Sequence, residues 1–502
     1  CLGDNVIECN EEGEIEIIET CDPLMGFACE EAACTGLCEL NELESTNKGC
    51  DFYPTVTANI LGSEGFHFTV RIANNGLYPA NIEFFQGENS LLDGVVPEKS
   101  VETFTLPWVP ELQATQDWSA SRVVADGAYR LHTDQPVMVY QYNAEGGGEG
   151  ADSAESNDAS ILLPIHVLEA DYTVVSTHSW PDPNSNVLLP GFYTVTAIED
   201  GTVVTLDTPG SVAAHPGAGV NLDGTGVVTL GAGDVLEVFS AGSANDPGDL
   251  SGTRIHATNP VQVIGGHMCT GVPTQGDNTC NHLEETILPE IWLGNQYFVV
   301  PPATGGQVDN PREQEVYIVA TEDGTHVEVK PDVGVWPNVN AGEKIVVPLT
   351  DESMLVESSK PVSVSQVMAS PELGERGGPS MLHIPPVVNW SEQDVFVLPE
   401  GYDDVYINIL IDSEDPMVNL TGPNNAQIDS GFNSLQVPGT NFWHLRYKLD
   451  ASDVGAILRL VSWSPMSISV YGESIRGSAW YPAGLQLTSG GNGGLPKAGS
   501  LK

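Results

Sequence analysis

The stretch TNPVQVIGGHMCTGVPTQGDNTCNHLEE, residues 258–285, gathers more residues capable of chemistry than any other passage of the chain. His267 and Cys269 stand two apart, Cys280 and His282 stand two apart, and Glu284 and Glu285 follow. Residues two apart on a strand share a face, so a pair of strands here can present two cysteines and two histidines to a zinc ion. The same spacing lets Cys269 and Cys280 bridge. That closes a short loop, worth roughly 3 kcal/mol in the chain-entropy account. Outside a reducing cytosol the two thiols oxidise to each other before a metal holds them. The expectation is therefore a disulfide, with His267 and His282 as packing or hydrogen-bonding groups and no metal ligand.

The remaining cysteines point the same way. Cys9, Cys21, Cys29, Cys34, Cys38 and Cys50 cluster in or beside residues 1–49, which carry 13 acidic residues and one Lys. Their spacings lack the paired C-x2-C knuckles of zinc modules, so a disulfide framework is expected, with connectivity left open. Cys1 is the odd one of nine. It is read as a lipid-bearing cysteine of the bacterial lipoprotein kind or as an intermolecular bridge. The compartment is then oxidising: extracellular or the outer-membrane surface.

Catalytic signatures are missing from the sequence. It holds no G-x-S-x-G elbow, H-E-x-x-H pair, phosphate loop or dinucleotide fingerprint, so no enzyme activity and no cofactor are expected. Glu199-Asp200 and Glu322-Asp323 precede glycine and read as turn residues, not as a carboxylate dyad. SNDAS (156–160), DPNSN (182–186) and NDPGDL (245–250) offer the oxygen ligands of calcium without its regular loop spacing. A structural calcium ion is the one cofactor kept in view. The 14 Tyr and 9 Trp could build a sugar platform, but most fall on alternating strand positions and read as core. A net charge of −52 opposes nucleic acid and anionic membranes as partners. No apolar run reaches the length of a membrane-spanning helix.

The elements that must position these residues are strands, and they recur. A Pro-strand element appears as HTDQPVMVYQY, ATNPVQVIGGH, SSKPVSVSQVM and SWSPMSISVYG, with Pro136, Pro260, Pro361 and Pro465 each opening an alternating run. Asp200-Gly201 and Asp323-Gly324 sit between alternating runs as hairpin signals. An apolar-Pro step recurs as ILLP, ILP, LHIPP and AWYP. The fold expected is all-β, with four tandem sandwich-like repeats packed together behind a small disulfide-rich arm. The alternative is a propeller-like ring of four units, which requires the chain's ends to meet. The divisions read are a Cys-rich arm (1–49), four repeats (50–145, 146–270, 271–372, 373–484) and a Gly-rich tail (485–502).

GCDFYPTVTAN, LPWVPEL, GAYRLHTDQPVMVYQYN, SNDASILLP, GGHMCTGVPTQGDNTCNHLEE, the paired EDGT turns and WYPAG together resemble the IgG Fc-binding protein family. The likeness is to its N-terminal domain in bacterial, myxobacterial-type members, and it spans roughly residues 49–484. It implies an extracellular, β-rich, non-enzymatic surface or secreted module. After Tyr142 the chain runs Asn-Ala-Glu-Gly where many relatives are longer, which argues against a family-wide binding role for that loop. The expectation is a surface structural or adhesion protein, lipid-anchored through Cys1, whose partners are other surface or matrix proteins. The alternatives are a filament or matrix subunit that partners itself, and a carbohydrate-binding protein or hydrolase.

Overall fold

A computed structural model gives the architecture. It describes all residues except 10–14, 62–64, 116, 147–156, 184–186, 210–211, 244–246, 274–279, 372–374, 414–416, 423–425, 429–431, 438, 450–454, 475–476 and 490–502. The protein is all-β, and its strands gather mainly into four antiparallel sheets of seven or eight strands. Among the described residues no helix is long and apolar enough to cross a membrane.

Each large sheet is organised by one long strand: Tyr129–Gly146, Arg254–Thr270, Met354–Met368 or Ile457–Glu473. Pro136, Pro260, Pro361 and Pro465 lie in the middle of these strands and do not open them, which corrects the reading from sequence. In each case one partner strand pairs with both halves, and its register jumps across the four residues that end in the proline. Proline lacks an N–H for the ladder, and a bulge is where that lack is tolerated. The bulge bends the strand, so its two halves serve different parts of a curled sheet.

The Asp-Gly turns are a second correction. Gly191–Ala197 and Thr202–Asp207 do not pair with each other; they run in succession along the second and first halves of Arg254–Thr270. Gln314–Ala320 and Thr325–Lys330 do the same along Met354–Met368. Asp200-Gly201 and Asp323-Gly324 therefore bend the chain opposite a proline corner, with glycine φ of 74° and 70°. The left-handed backbone that suits a tight hairpin also suits this bend. Asp200 and Asp323 each accept an amide hydrogen bond at 2.9 Å, from Ala232 and Ala341.

Three corners share a cap. Asp134 accepts from the Asn81 amide, Thr258 Oγ1 from Val203 and Ser359 Oγ from His326, at 2.8–2.9 Å. At the fourth corner stands Trp463, 84% exposed.

After each long strand the chain returns in a short strand: Asp158–Leu162, Asn281–Thr286, Met381–His383 or Ser478–Pro482. Each pairs with the long strand just before it, so hydrogen bonding crosses the divisions drawn at 145/146, 270/271 and 372/373. The apolar-Pro steps lie in or just after these four strands. The first short strand lies against the second and fourth, and the third lies against the same two. The segment just before the first sheet also meets the segment just after the last. Thr46 bridges to Gln486, and the Leu487 amide donates to the Ser45 carbonyl at 2.7 Å. Met138 and Tyr140 from the first sheet share a core with Ile407, Ile468 and Tyr481 from the last.

The arm is stapled by Cys1–Cys29, Cys21–Cys34 and Cys38–Cys50. Cys1, for which a lipid or an intermolecular bridge is expected from sequence, is bonded to Cys29 of the same chain in this structure. A hairpin of Asn5–Cys9 with Ile15–Thr20 folds the chain start back, setting the Cα atoms of Cys1 and Cys29 5.7 Å apart, within bridging range. Cys9 ends the first hairpin strand, and its side chain lies outside the described residues. Gln135 Nε2 donates to the Pro23 carbonyl at 2.9 Å and ties the arm to the first proline corner.

Candidate functional site at the buried axis

The four short strands carry the polar residues that sequence reading singled out, and they bring them together in the interior. Asp158 begins the first strand and is fully buried. Its carboxylate accepts from Ser380 Oγ at 2.5 Å, the Met381 amide at 3.0 Å, the Trp480 amide at 3.3 Å and the Glu284 amide at 3.4 Å. One side chain thus binds backbone from each of the other three short strands. Burial raises its pKa well above the ordinary carboxylate range, against the pull of these hydrogen bonds.

Further bonds complete a circuit. Ser160 Oγ accepts from the Thr286 amide at 2.7 Å, linking the first and second strands. Asn281 Nδ2 donates to the Asn157 carbonyl at 3.0 Å and to Pro379 at 2.7 Å, reaching the third. The Gly378 amide donates to Ser478 Oγ at 3.0 Å, reaching the fourth, and Trp480 closes on Asp158. Glu285 joins through Ser160 Oγ at 3.2 Å, and burial pushes its pKa up too.

The opening motif frames this axis. Cys269 and Cys280 are joined, with an S–S distance of 2.04 Å. His267 is fully buried, accepts the Cys269 amide on Nδ1 at 3.0 Å, and is pushed down to about 3 by burial and then by His178 and His282. His282 stacks on Phe192 with ring centres 5.8 Å apart. With the sulfurs bonded to each other, the two histidines have no thiolates to share with a metal. Among the described residues no group of three or more His, Cys, Asp or Glu is arranged to hold one.

A hydroxyl, an imidazole and a carboxylate do converge here. Thr57 Oγ1, His282 Nε2 and Glu284 Oε2 lie within 3.4 Å of one another. The hydroxyl donates straight to the carboxylate at 2.6 Å, so the imidazole is not placed to activate it. All three residues are at 0% exposure. The nearby cavity, lined by Ile161, Leu163, Thr286, Leu288, His383, Pro482 and Leu485, holds about 10 Å³, room for about one water. What this arrangement does chemically is satisfy buried backbone and lock strands in register.

Other expected residues disperse. Glu199 and Glu322 sit with their aspartates at the exposed bends. All three calcium loops fall partly outside the described residues, and SNDAS enters the axis through Asp158. Asp249 of the last pairs with Lys344.

Sequence reading missed the residues that seal the axis. Gln141 bonds both ways with the Thr55 backbone at 3.0 Å and reaches Glu284 Oε1 at 3.1 Å. Asn143 donates to Thr57 Oγ1 at 2.6 Å. The signal was present as two alternations of polar residues inside apolar runs, Thr55-x-Thr57-x-Asn59 and Gln141-x-Asn143. Gly265 and Gly266 were missed as well. A Cβ there would stand 2.2 Å from the Val175 carbonyl and 1.9 Å from that of Leu283, so only glycine admits this approach.

Comparison with known proteins extends the picture from residues to ancestry. The family described as IgGFc binding protein matches residues 158–472, more than half of the chain and beginning at Asp158. The human IgGFc-binding protein is 29% identical over 188 residues, which cover 36% of this chain and 3% of that protein. The relative is human, so the match carries the family and not the bacterial grouping expected from sequence. On the family match, the chain belongs to the IgGFc-binding protein family.

Proposed function

We propose that the chain is an extracellular structural or adhesion protein that acts by binding and not by catalysis. The observation that supports this most is where the reactive side chains go. Asp158, His267, His282, Glu284 and Glu285 are buried, each in at least one hydrogen bond, beside a cavity of about 10 Å³, which leaves the exterior as the working surface. Four disulfides suit an oxidising compartment. In this reading the four sheets are tandem sandwich-like repeats closed into a ring, held by the four short strands and by the meeting of residues 45–47 with 485–487. Immunoglobulin binding is not carried to this chain, since the matched stretch is 3% of the human protein.

The test pairs electron microscopy with an adhesion assay on the purified, oxidised chain. Discrete particles that adhere to extracellular matrix or cell surfaces, and that turn over no chromogenic ester, glycoside or phosphate, are expected. Long polymers in the micrographs would favour a filament subunit. Turnover above the buffer rate would overturn the non-catalytic reading.

A further inference from the structure

The arm exposes far more apolar side chain than its length warrants. Leu2, Ile15, Ile17, Ile18, Leu24 and Phe27 are each 44–59% exposed. Three of them, Ile15, Ile17 and Ile18, lie in the hairpin of Asn5–Cys9 with Ile15–Thr20, a sheet of only two strands, so among the described residues the outer edge of Ile15–Thr20 is unpaired. A bulge leaves Ile18 without a residue opposite it, between the Val6–Glu19 and Ile7–Ile17 pairs, and Ile17 and Ile18 are both 57% exposed. Isolated hairpins of this kind are marginal in water, and folded proteins cover or charge such edges. This edge carries the charges of Glu16 and Glu19 and is also held rigid. The Cys1–Cys29 and Cys21–Cys34 bridges pin its base, and the Cys21 amide donates to the Asp4 carbonyl at 2.8 Å.

We propose that the outer edge of Ile15–Thr20 is a strand-addition site for a cationic extended segment of a partner protein. Main-chain bonds to an open edge supply affinity in this mode, and alternate side chains supply specificity. The strand reads Ile15-Glu16-Ile17-Ile18-Glu19. An antiparallel partner that sets apolar against isoleucine and base against glutamate reads Lys-Val-Val-Lys-Val. Charge selects the class of partner. The arm holds 13 acidic residues and one Lys, and the whole chain stands at −52, so a second copy is repelled where a basic segment is drawn in.

The inference rests on the reading that the chain works by binding. The intact, oxidised chain is titrated with a fluorescent peptide containing Lys-Val-Val-Lys-Val and with one of equal composition and charge, Val-Lys-Lys-Val-Val. The first is expected to bind at least about tenfold more tightly. Ile17→Lys combined with Ile18→Lys is expected to abolish that difference, and Leu77→Lys, at another exposed apolar site, to leave it intact. Non-reducing mass measurement and circular dichroism confirm that each variant keeps its bridges and fold. Equal binding of the two peptides, or binding indifferent to the isoleucine changes, overturns the site. Self-association in sedimentation that the isoleucine changes reverse assigns the edge to a second copy and overturns the cationic partner. Adhesion is measured on the same samples: adhesion without peptide binding sinks the arm site alone, and absence of adhesion sinks the binding reading.

Discussion

Asp158→Ala tests the axis most directly. The substitution strips the acceptor from the Met381 amide at 3.0 Å, Ser380 Oγ at 2.5 Å and the Trp480 amide at 3.3 Å, all fully enclosed. Each buried donor left unsatisfied costs about 1–3 kcal/mol. Removing the carboxyl also relieves its own burial, the cause that raises its pKa. The balance is a loss of roughly 3–5 kcal/mol, a large share of the about 5–15 kcal/mol that holds most domains together. Asp158→Asn keeps one acceptor oxygen but turns an NH2 toward donors, so its loss is expected to be smaller than that of alanine and still measurable. Urea denaturation gives the midpoint and slope, and hydrogen exchange at the Glu284, Met381 and Trp480 amides gives the local effect. Exchange at those three positions, on three separate strands, is expected to accelerate together. A midpoint shift worth less than about 1 kcal/mol, with unchanged exchange at the three amides, would refute the claim that Asp158 joins the short strands.

Other tests address different parts of the molecule. Cys269→Ser together with Cys280→Ser is expected to lower stability by about 2–3 kcal/mol in denaturant, with the axis still formed by hydrogen exchange. Gly266→Ala places a Cβ 1.9 Å from the Leu283 carbonyl oxygen and 2.7 Å from its carbon. That contact forces two backbones apart and is expected to cost on the order of 3 kcal/mol or more, read as a lowered melting temperature. Burial pushes Asp394 up to about 7 from 3.8, against a hydrogen bond from Ser391. The folded state therefore favours the protonated carboxyl. Its contribution is complete below about pH 4 and is lost as pH rises through about 7. Asp394→Asn is expected to gain stability relative to the parent between pH 4 and 8, by about 1–2 kcal/mol because the side chain keeps some exposure. A flat difference across that range would contradict the sign.

Much of the architecture is legible in the linear pattern. Alternation of apolar and polar residues marks the strands because a pleat places successive side chains on opposite faces. The same alternation inside apolar runs, at Thr55-x-Thr57 and Gln141-x-Asn143, marks the buried polar seam for a reader who asks where those groups find partners. The proline and Asp-Gly signals mark the right places along the chain, but what stands there is a mid-strand bulge and a corner, not a strand start and a hairpin. A bulge accepts the missing N–H of proline as a strand's first residue does, and a glycine at positive φ serves a corner as well as a hairpin.

By itself, the sequence determined that this protein is all-β, that its markers recur four times, and that Cys269 and Cys280 can meet across a short loop. Those properties are local: they follow from side-chain period, from composition and from the reach of nearby residues. Only the tertiary structure decided that Cys1 pairs with Cys29, that Asp158 bonds to three other strands, and that Thr46 lies beside Gln486. Such contacts join residues far apart in sequence. A buried carboxylate has no partner that composition can name, and its partners here are backbone amides, which every residue but proline carries.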